Sequence, residues 1–396
     1  MTRRRVKRAL KRLFPFMLVA SLALGVLAAH TTLFSSVIGQ EIELRQTDVW
    51  FRLRGAIPTP EQLLIVSIDE DTYGELSLST LAPLPRGVIA DLLEVLARSG
   101  ASLAIIDLFF RDPGSDPTGN DRLTHALSQM PTFIGAFQYE ESGSGDETRR
   151  VIEVSPVKQF AEAAEKVVLM NILGHDTVRF FRLPLRGKDQ RESLVTAYGE
   201  RSQHVPSPRM LDLIRFYGPP GTVPQVSAGK VLRQDAGSNE AQFKGKTVLI
   251  GNALKVKTGF AVKDSFRTPV SATLMSGVEV HATVVANVMQ NNWIRRGNLG
   301  RELLTVSLLL VMVAVIVAAV APVLGLMVVA GAAVVWSLIA YAGFLKGVFI
   351  PGVLGFLVVL PVTFVVTTIA KHRALKSRFY QVERMLGLSD DGSGPM

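Results

Sequence analysis

The chain of 396 residues contains no cysteine. A disulfide framework, a thiolate zinc site and a cysteine nucleophile are therefore excluded. Charge is scarce as well. Only 19% of the residues are charged against 48% hydrophobic, where an ordinary soluble domain carries about 25% charged residues. The six histidines are scattered along the chain, so no metal-binding tract is present. There is no Gly-x-Ser-x-Gly elbow to support hydrolase chemistry. Neither a cofactor nor a metal is expected.

The net charge is +9, and its location is informative. Arg3, Arg4, Arg5, Lys7, Arg8, Lys11 and Arg12 form a basic arm without an acid. Lys371, Arg373, Lys376, Arg378 and Arg384 outweigh Glu383, Asp390 and Asp391 at the other end. Binding to nucleic acid needs a basic surface on a folded domain. Here the excess flanks apolar runs, so membrane lipid is the expected partner and nucleic acid is not.

Four apolar stretches are long enough to span a bilayer, which takes about 20 residues and no fewer than about 17. They are 13–29, 303–320, 323–345 and 348–370. The joints Ala321-Pro322 and Lys346-Gly347 are short, so the last three predict a tight hairpin bundle. Positive charge beside the first span stays in the cytoplasm. The predicted order is a cytoplasmic arm (1–12), a first span, an exported domain (30–300), three spans and a cytoplasmic tail (371–396). Val26-Leu27-Ala28 also resembles a signal-peptide cleavage site, and cleavage there would leave the domain outside all the same. An exported domain without cysteine fits a bacterial periplasm, hence an inner-membrane protein with both termini cytoplasmic.

Within 30–300, continuous apolar runs predict buried strands at Leu63–Ile68, Leu103–Ile106 and Thr247–Ile250, with a weaker one at Val167–Met170. Helical spacing marks Gly87–Ser99, closed by Gly100, and further helices are expected at 121–129 and 277–290. Strand, helix, strand with unbroken apolar strands predicts an α/β domain on a mostly parallel sheet. The polar stretches Glu140–Arg149 and Arg233–Asn239 are expected to be mobile loops.

Several pieces carry a resemblance. They are Asp48 with Arg52 and Arg54, Ile65–Asp69, Pro83-Leu84-Pro85-Arg86, Gly100-Ala101, Ile106-Asp107, Asp176–Arg179, Gly218-Pro219-Pro220-Gly221-Thr222, Gly245–Gly251, Asp264–Pro269 and Met275–Ala282. In this order they resemble the second class of CHASE domains, the cyclase/histidine-kinase-associated sensory extracellular modules, over nearly all of 40–292. The resemblance implies one helix before the domain, three after it, and an output domain such as a nucleotide cyclase or kinase. Only 26 residues follow Ala370, too few for such a domain, so the chain is expected not to be an enzyme. It would sense a periplasmic ligand or protein and act on a separate cytoplasmic effector, or on a second copy of itself.

Candidate site residues follow from chemistry. Asp69 and Asp107 end parallel strands, where ligands bind, although a carboxylate there serves equally to cap the next turn. Asp69-Glu70-Asp71 also resembles an aspartyl phosphotransferase loop, with Tyr73 at a position where that motif has Thr or Val. That leaves periplasmic phosphohydrolysis as an alternative, beside a constitutive structural subunit. Arg86 and Arg179 are candidate partners for an anionic ligand or for those aspartates. Gly218–Thr222 begins like a phosphate loop but lacks the following Gly-Lys-Thr, so it reads as a rigid turn after an apolar strand. Gly251 follows a strand. His281 is expected to be buried and hydrogen-bonded rather than a metal ligand with Glu279, because i and i+2 face apart on a helix. The segment after Lys371 carries Leu375, Phe379, Val382 and Leu386 on one stripe, which suits a lipid-surface helix or a docking helix.

Overall fold

The computed structural model describes residues 37–80, 82, 84–142, 149–173, 176–181, 191–203, 212–255, 264–297, 299–350 and 360–385. The basic arm and the first expected span, 13–29, lie outside the described residues. The elements begin with α1 (Val37–Arg54), β1 (Leu63–Ile68), α2 (Glu70–Glu75), α3 (Arg86–Arg98), β2 (Leu103–Asp107), α4 (Pro117–Gln129), β3 (Thr132–Ser142) and β4 (Arg149–Val154). Next are α5 (Lys158–Ala163), β5 (Lys166–Leu169), β6 (Ile172–Leu173), β7 (Phe180–Phe181), α6 (Leu194–Arg201), β8 (Gln225–Ser227), α7 (Ala228–Arg233), α8 (Ala236–Phe243) and β9 (Thr247–Asn252). Last come β10 (Ser265–Thr268), β11 (Ser271–Ser276), α9 (Gly277–Gln290), β12 (Arg295–Arg296), α10 (Leu299–Ala319), α11 (Pro322–Leu345), β13 (Val348–Phe349) and α12 (Leu360–Met385).

The chain divides into two compact units, Asp48–Arg295 and the remainder. The first is built on one sheet in the order β4-β3-β2-β9-β1-β8, with β5 on β3. Every pairing is parallel except that of β3 with β4. All residues of β1 and β2 are buried, as a parallel sheet covered on both faces requires. Leu64, Val66, Ile106, Ile134 and Ile250 pack against Leu92 and Leu93 of α3, Leu127 of α4, Val231 of α7 and Phe243 of α8. The alternate residues Ile65, Ile105 and Leu249 point to the opposite face, where α9 lies on β1 and β9. Helix α3 stops at Gly100, whose φ of +72° closes the last turn through Ala101 N and Leu96 O at 3.1 Å.

The structure corrects two of the expected loops. Residues 137–142 and 149–154 form an antiparallel hairpin, so both ends of Glu140–Arg149 are strand. Within Arg233–Asn239, Asp235 caps α8 by accepting from Ser238 N at 3.0 Å.

In the second unit, α10 and α11 pack on each other through Val313, Val317, Val329 and Trp336, and α12 joins them through Phe364. Pro322 starts α11 at its first helical position, where its missing N–H costs nothing. Lys371 Nζ donates to Val320 O at the end of α10. Large apolar side chains face outward, among them Leu308, Val315, Leu326, Met327 and Leu338. Among the described residues, one helix, Pro322–Leu345, is long and apolar enough to cross a membrane. Within the expected span 348–370, Val348–Phe349 is a short strand and a helix is described from Leu360 onward. That helix continues without a break through the basic tail to Met385.

Candidate functional site

The four candidate ligand-binding residues do different things. Asp69 is the N-cap of α2. Its Oδ1 accepts from Thr72 N at 3.0 Å and Ser227 Oγ at 2.7 Å, and its Oδ2 from Ser67 Oγ at 2.8 Å. With Thr72 Oγ1 accepting from Asp69 N at 3.3 Å, the pair forms a capping box. Arg86 donates to the carboxylate of Asp112 at 3.2 Å, and its guanidinium lies 5.2 and 5.0 Å from the ring centroids of Phe110 and Phe160. Burial lowers its pKa, and Asp112 partly restores it. Arg179 grips Asp48 as a two-pronged fork, at 2.9 and 2.7 Å. Asp107 alone of the four lies beside both a second carboxylate and a histidine.

Asp107 closes β2, in register with Gly251, which is itself in register with Ser67 of β1. In a parallel ladder such a row projects to one face, here the face covered by α9. A Cβ on Gly251 would fall 2.7 Å from Cβ of Val278 and 3.1 Å from Cβ of Asp107. The missing side chain is what lets the first turn of α9 seat directly on the strand ends. That seating brings His281 Nε2 to 3.8 Å from Asp107 Oδ1, which is too long for a hydrogen bond. Asp264, just before β10, completes the group. Its backbone oxygen accepts from Gly277 N at 3.0 Å, and its carboxylate occupies the space where a Cβ on Gly277 would be.

In the cluster of Asp107, Asp264 and His281, the first and last are buried and under-bonded, and Asp264 is partly exposed. Asp107 is 5% exposed and His281 3%. Among the described residues, Asp107 Oδ2 and His281 Nδ1 have no hydrogen-bond partner, so His281 is buried as expected but that nitrogen finds no described partner. Desolvation pushes Asp107 up to about 7. Desolvation and then the neighbouring Asp107 charge push Asp264 up to about 7, with His281 opposing. Burial drives His281 down to about 4, against the pull of Asp264. Near neutral pH the histidine is therefore uncharged and the two carboxylates titrate. Among the described residues, no group of three or more His, Cys, Asp and Glu side chains is placed to hold a metal ion.

Residues 218–222 form the expected turn, with Thr222 N on Pro219 O at 3.1 Å and φ of +89° at Gly221. The residues before it, Ile214–Tyr217, lie outside any named strand. Its amide cradle is filled by the chain itself. Glu279 of α9 accepts from Gly221 N at 2.8 and 3.0 Å and from Val223 N at 3.4 Å. Burial raises the pKa of Glu279, and these backbone bonds oppose the rise. One helix start thus holds both the turn and the buried cluster.

The CHASE2 domain profile matches residues 20–321. The chain belongs to the CHASE2 family. CHASE2 domains are sensory extracellular domains of membrane proteins, and sensing rather than catalysis is their role. The match encloses the whole α/β unit and α10, and ends at the residue before α11. No curated protein and no solved structure matches the chain.

Asp264 is the member of the cluster that pattern reasoning overlooked. Its signal was its place at the head of the Asp264–Pro269 piece, one of those that carry the CHASE2 resemblance.

Proposed function

We propose that the chain is the sensory part of a bacterial inner-membrane signalling protein. The CHASE2 unit lies in the periplasm. The apolar segments at 13–29, 303–320, 323–345 and 348–370 span the membrane, and a cytoplasmic effector reads the state of α12. One observation carries this reading. The buried acid–histidine cluster sits at the start of α9, and the chain leaves the end of α9 through the joint 291–298 into α10. Buried titratable groups without a counter-charge lower stability, and they concentrate where function demands them. A stimulus acting there biases the helices only if it prefers one of two states.

The cysteine-free sequence makes the topology directly testable. Lys158→Cys, on the exposed face of α5, is expected to react with a membrane-impermeant maleimide in spheroplasts, and Arg373→Cys on α12 only after lysis. Equal labelling of both before lysis overturns the periplasmic placement.

Signalling is tested by fusing a dimer-dependent reporter to the end of the full chain. Gly277→Ala, whose methyl group must displace the Asp264 carboxylate, is expected to change the output at least threefold. Output unmoved by Gly277→Ala and by Asp107→Asn argues for a constitutive structural subunit. A stoichiometric partner co-purifying with both variants would identify the complex.

A further inference from the structure

We propose that Asp107 and Asp264, beside His281, form a proton switch, closed while at least one of the two carboxylates is protonated and opened at the start of α9 when both are ionised. The sensory meaning of this switch rests on the periplasmic placement above; its conformational claim does not.

The geometry supplies the two states. Asp107 is fixed on the end of a central strand, whereas Asp264 lies on a partly exposed segment next to the β10–β11 hairpin. In the closed state the Asp264 carboxylate packs over Gly277, and the Gly277 N–H holds the Asp264 backbone. A single negative charge at that place is tolerated, because the N-terminus of α9 favours it. A second charge on Asp107 is not, since two buried like charges with no cation between them repel. Asp264 is the partner free to move outward.

No described neighbour supplies the missing cation. Strands β9 and β11 contain no ionisable residue, and Arg267 of β10 is exposed. The end of β1 brings Asp69, held by hydroxyls, and α6 brings Tyr198, Glu200 and Arg201. Tyr198 bonds to Thr247, Glu200 pairs with Lys166, and Arg201 pairs with Glu165. Glu279 of α9 itself is engaged by the 218–222 turn. His281 stays neutral across the range in which the carboxylates titrate, and so offers no counter-charge there.

Amide hydrogen exchange on the full chain in lipid nanodiscs, from pH 5.5 to 8.5 and corrected for the intrinsic rate, tests the switch. Peptides covering 264–281 are expected to lose protection at least tenfold with rising pH, while those covering 86–98 do not change. Asp107→Asn and Asp264→Asn are each expected to flatten the transition. If Asp107→Asn fails to fold, Asp264→Asn, nearer the surface, decides alone. A flat wild-type profile, or a transition that survives the Asn substitution, overturns the switch. Failure of the maleimide topology test with an intact exchange transition overturns only the periplasmic reading.

Discussion

Asp107→Asn is expected to stabilise the protein by about 2–3 kcal/mol at pH 8 and by little at pH 4.5. The folded state holds the Asp107 pKa at about 7, whereas its ordinary value is 3.8. Between those two values the folded chain binds more protons than the unfolded one, so stability falls as pH rises. The contribution is fully present below about 4 and is lost once pH passes 7. His281 works in the opposite sense, because its folded pKa lies below its ordinary value. Between about 4 and 6.5 it makes stability rise with pH. It titrates in wild type and variant alike, so it largely drops out of the difference. Asparagine keeps the size of the side chain and removes the charge. For a unit of this size the gain corresponds to a rise in Tm of several degrees. Thermal or denaturant unfolding of the full chain in detergent at the two pH values measures it. A variant destabilised more at pH 8 than at pH 4.5 would show that the ionised Asp107 carboxylate does not destabilise the fold.

The same residues show how far sequence reasoning reaches. Strands β1, β2 and β9 are legible as unbroken apolar runs, because a strand buried on both faces needs no polar alternation. Helix α9 is legible as well, its bounds fixed by Gly277 and the end of the apolar repeat. Strand order is not. β9 lies between β1 and β2 although it starts at Thr247, long after β1 ends at Ile68 and β2 at Asp107, and periodicity carries no information about which strand sits beside which. The cluster depends on that order, since Asp107 and His281 meet only because Gly251 is set between Ser67 and Asp107.

Other misreadings have local causes. The polar strands of the β3–β4 hairpin resemble a loop because they lack apolar alternation, yet their backbones pair throughout the described part. The start of α8 carried its own signal, an Asp three residues before a Ser. Asp69 was open to two readings. What decides for the cap is Thr72, whose N–H donates to the Asp69 carboxylate and whose hydroxyl accepts from Asp69 N, while Ser227, contributed by β8 from far along the chain, adds a further bond. Arg86 and Arg179 each pair with a carboxylate, but it is Asp112 and Asp48 rather than the strand-end Asp69 and Asp107.

Arg179→Met is expected to cost about 3–5 kcal/mol, the largest single effect foreseen for this chain. Arg179 and Asp48 bury their side chains to 9% and 11% exposure, and their fork is the geometry in which a guanidinium satisfies both oxygens of a carboxylate. Methionine fills a similar volume but leaves Asp48 ionised and without that partner, and an uncompensated buried charge dominates the cost. The neighbouring backbone bonds, Ile214 N to Arg179 O at 2.9 Å and Val178 N to Arg267 O at 2.8 Å, do not depend on the side chain and should persist. The site therefore separates charge from packing. Asp48→Asn added to Arg179→Met removes the stranded charge and is expected to restore at least half of the loss. Denaturant unfolding of the single and double variants provides the measurement. A double variant no more stable than Arg179→Met alone would mean that the guanidinium acts through contacts other than Asp48, and the fork would cease to be the anchor of the last turns of α1.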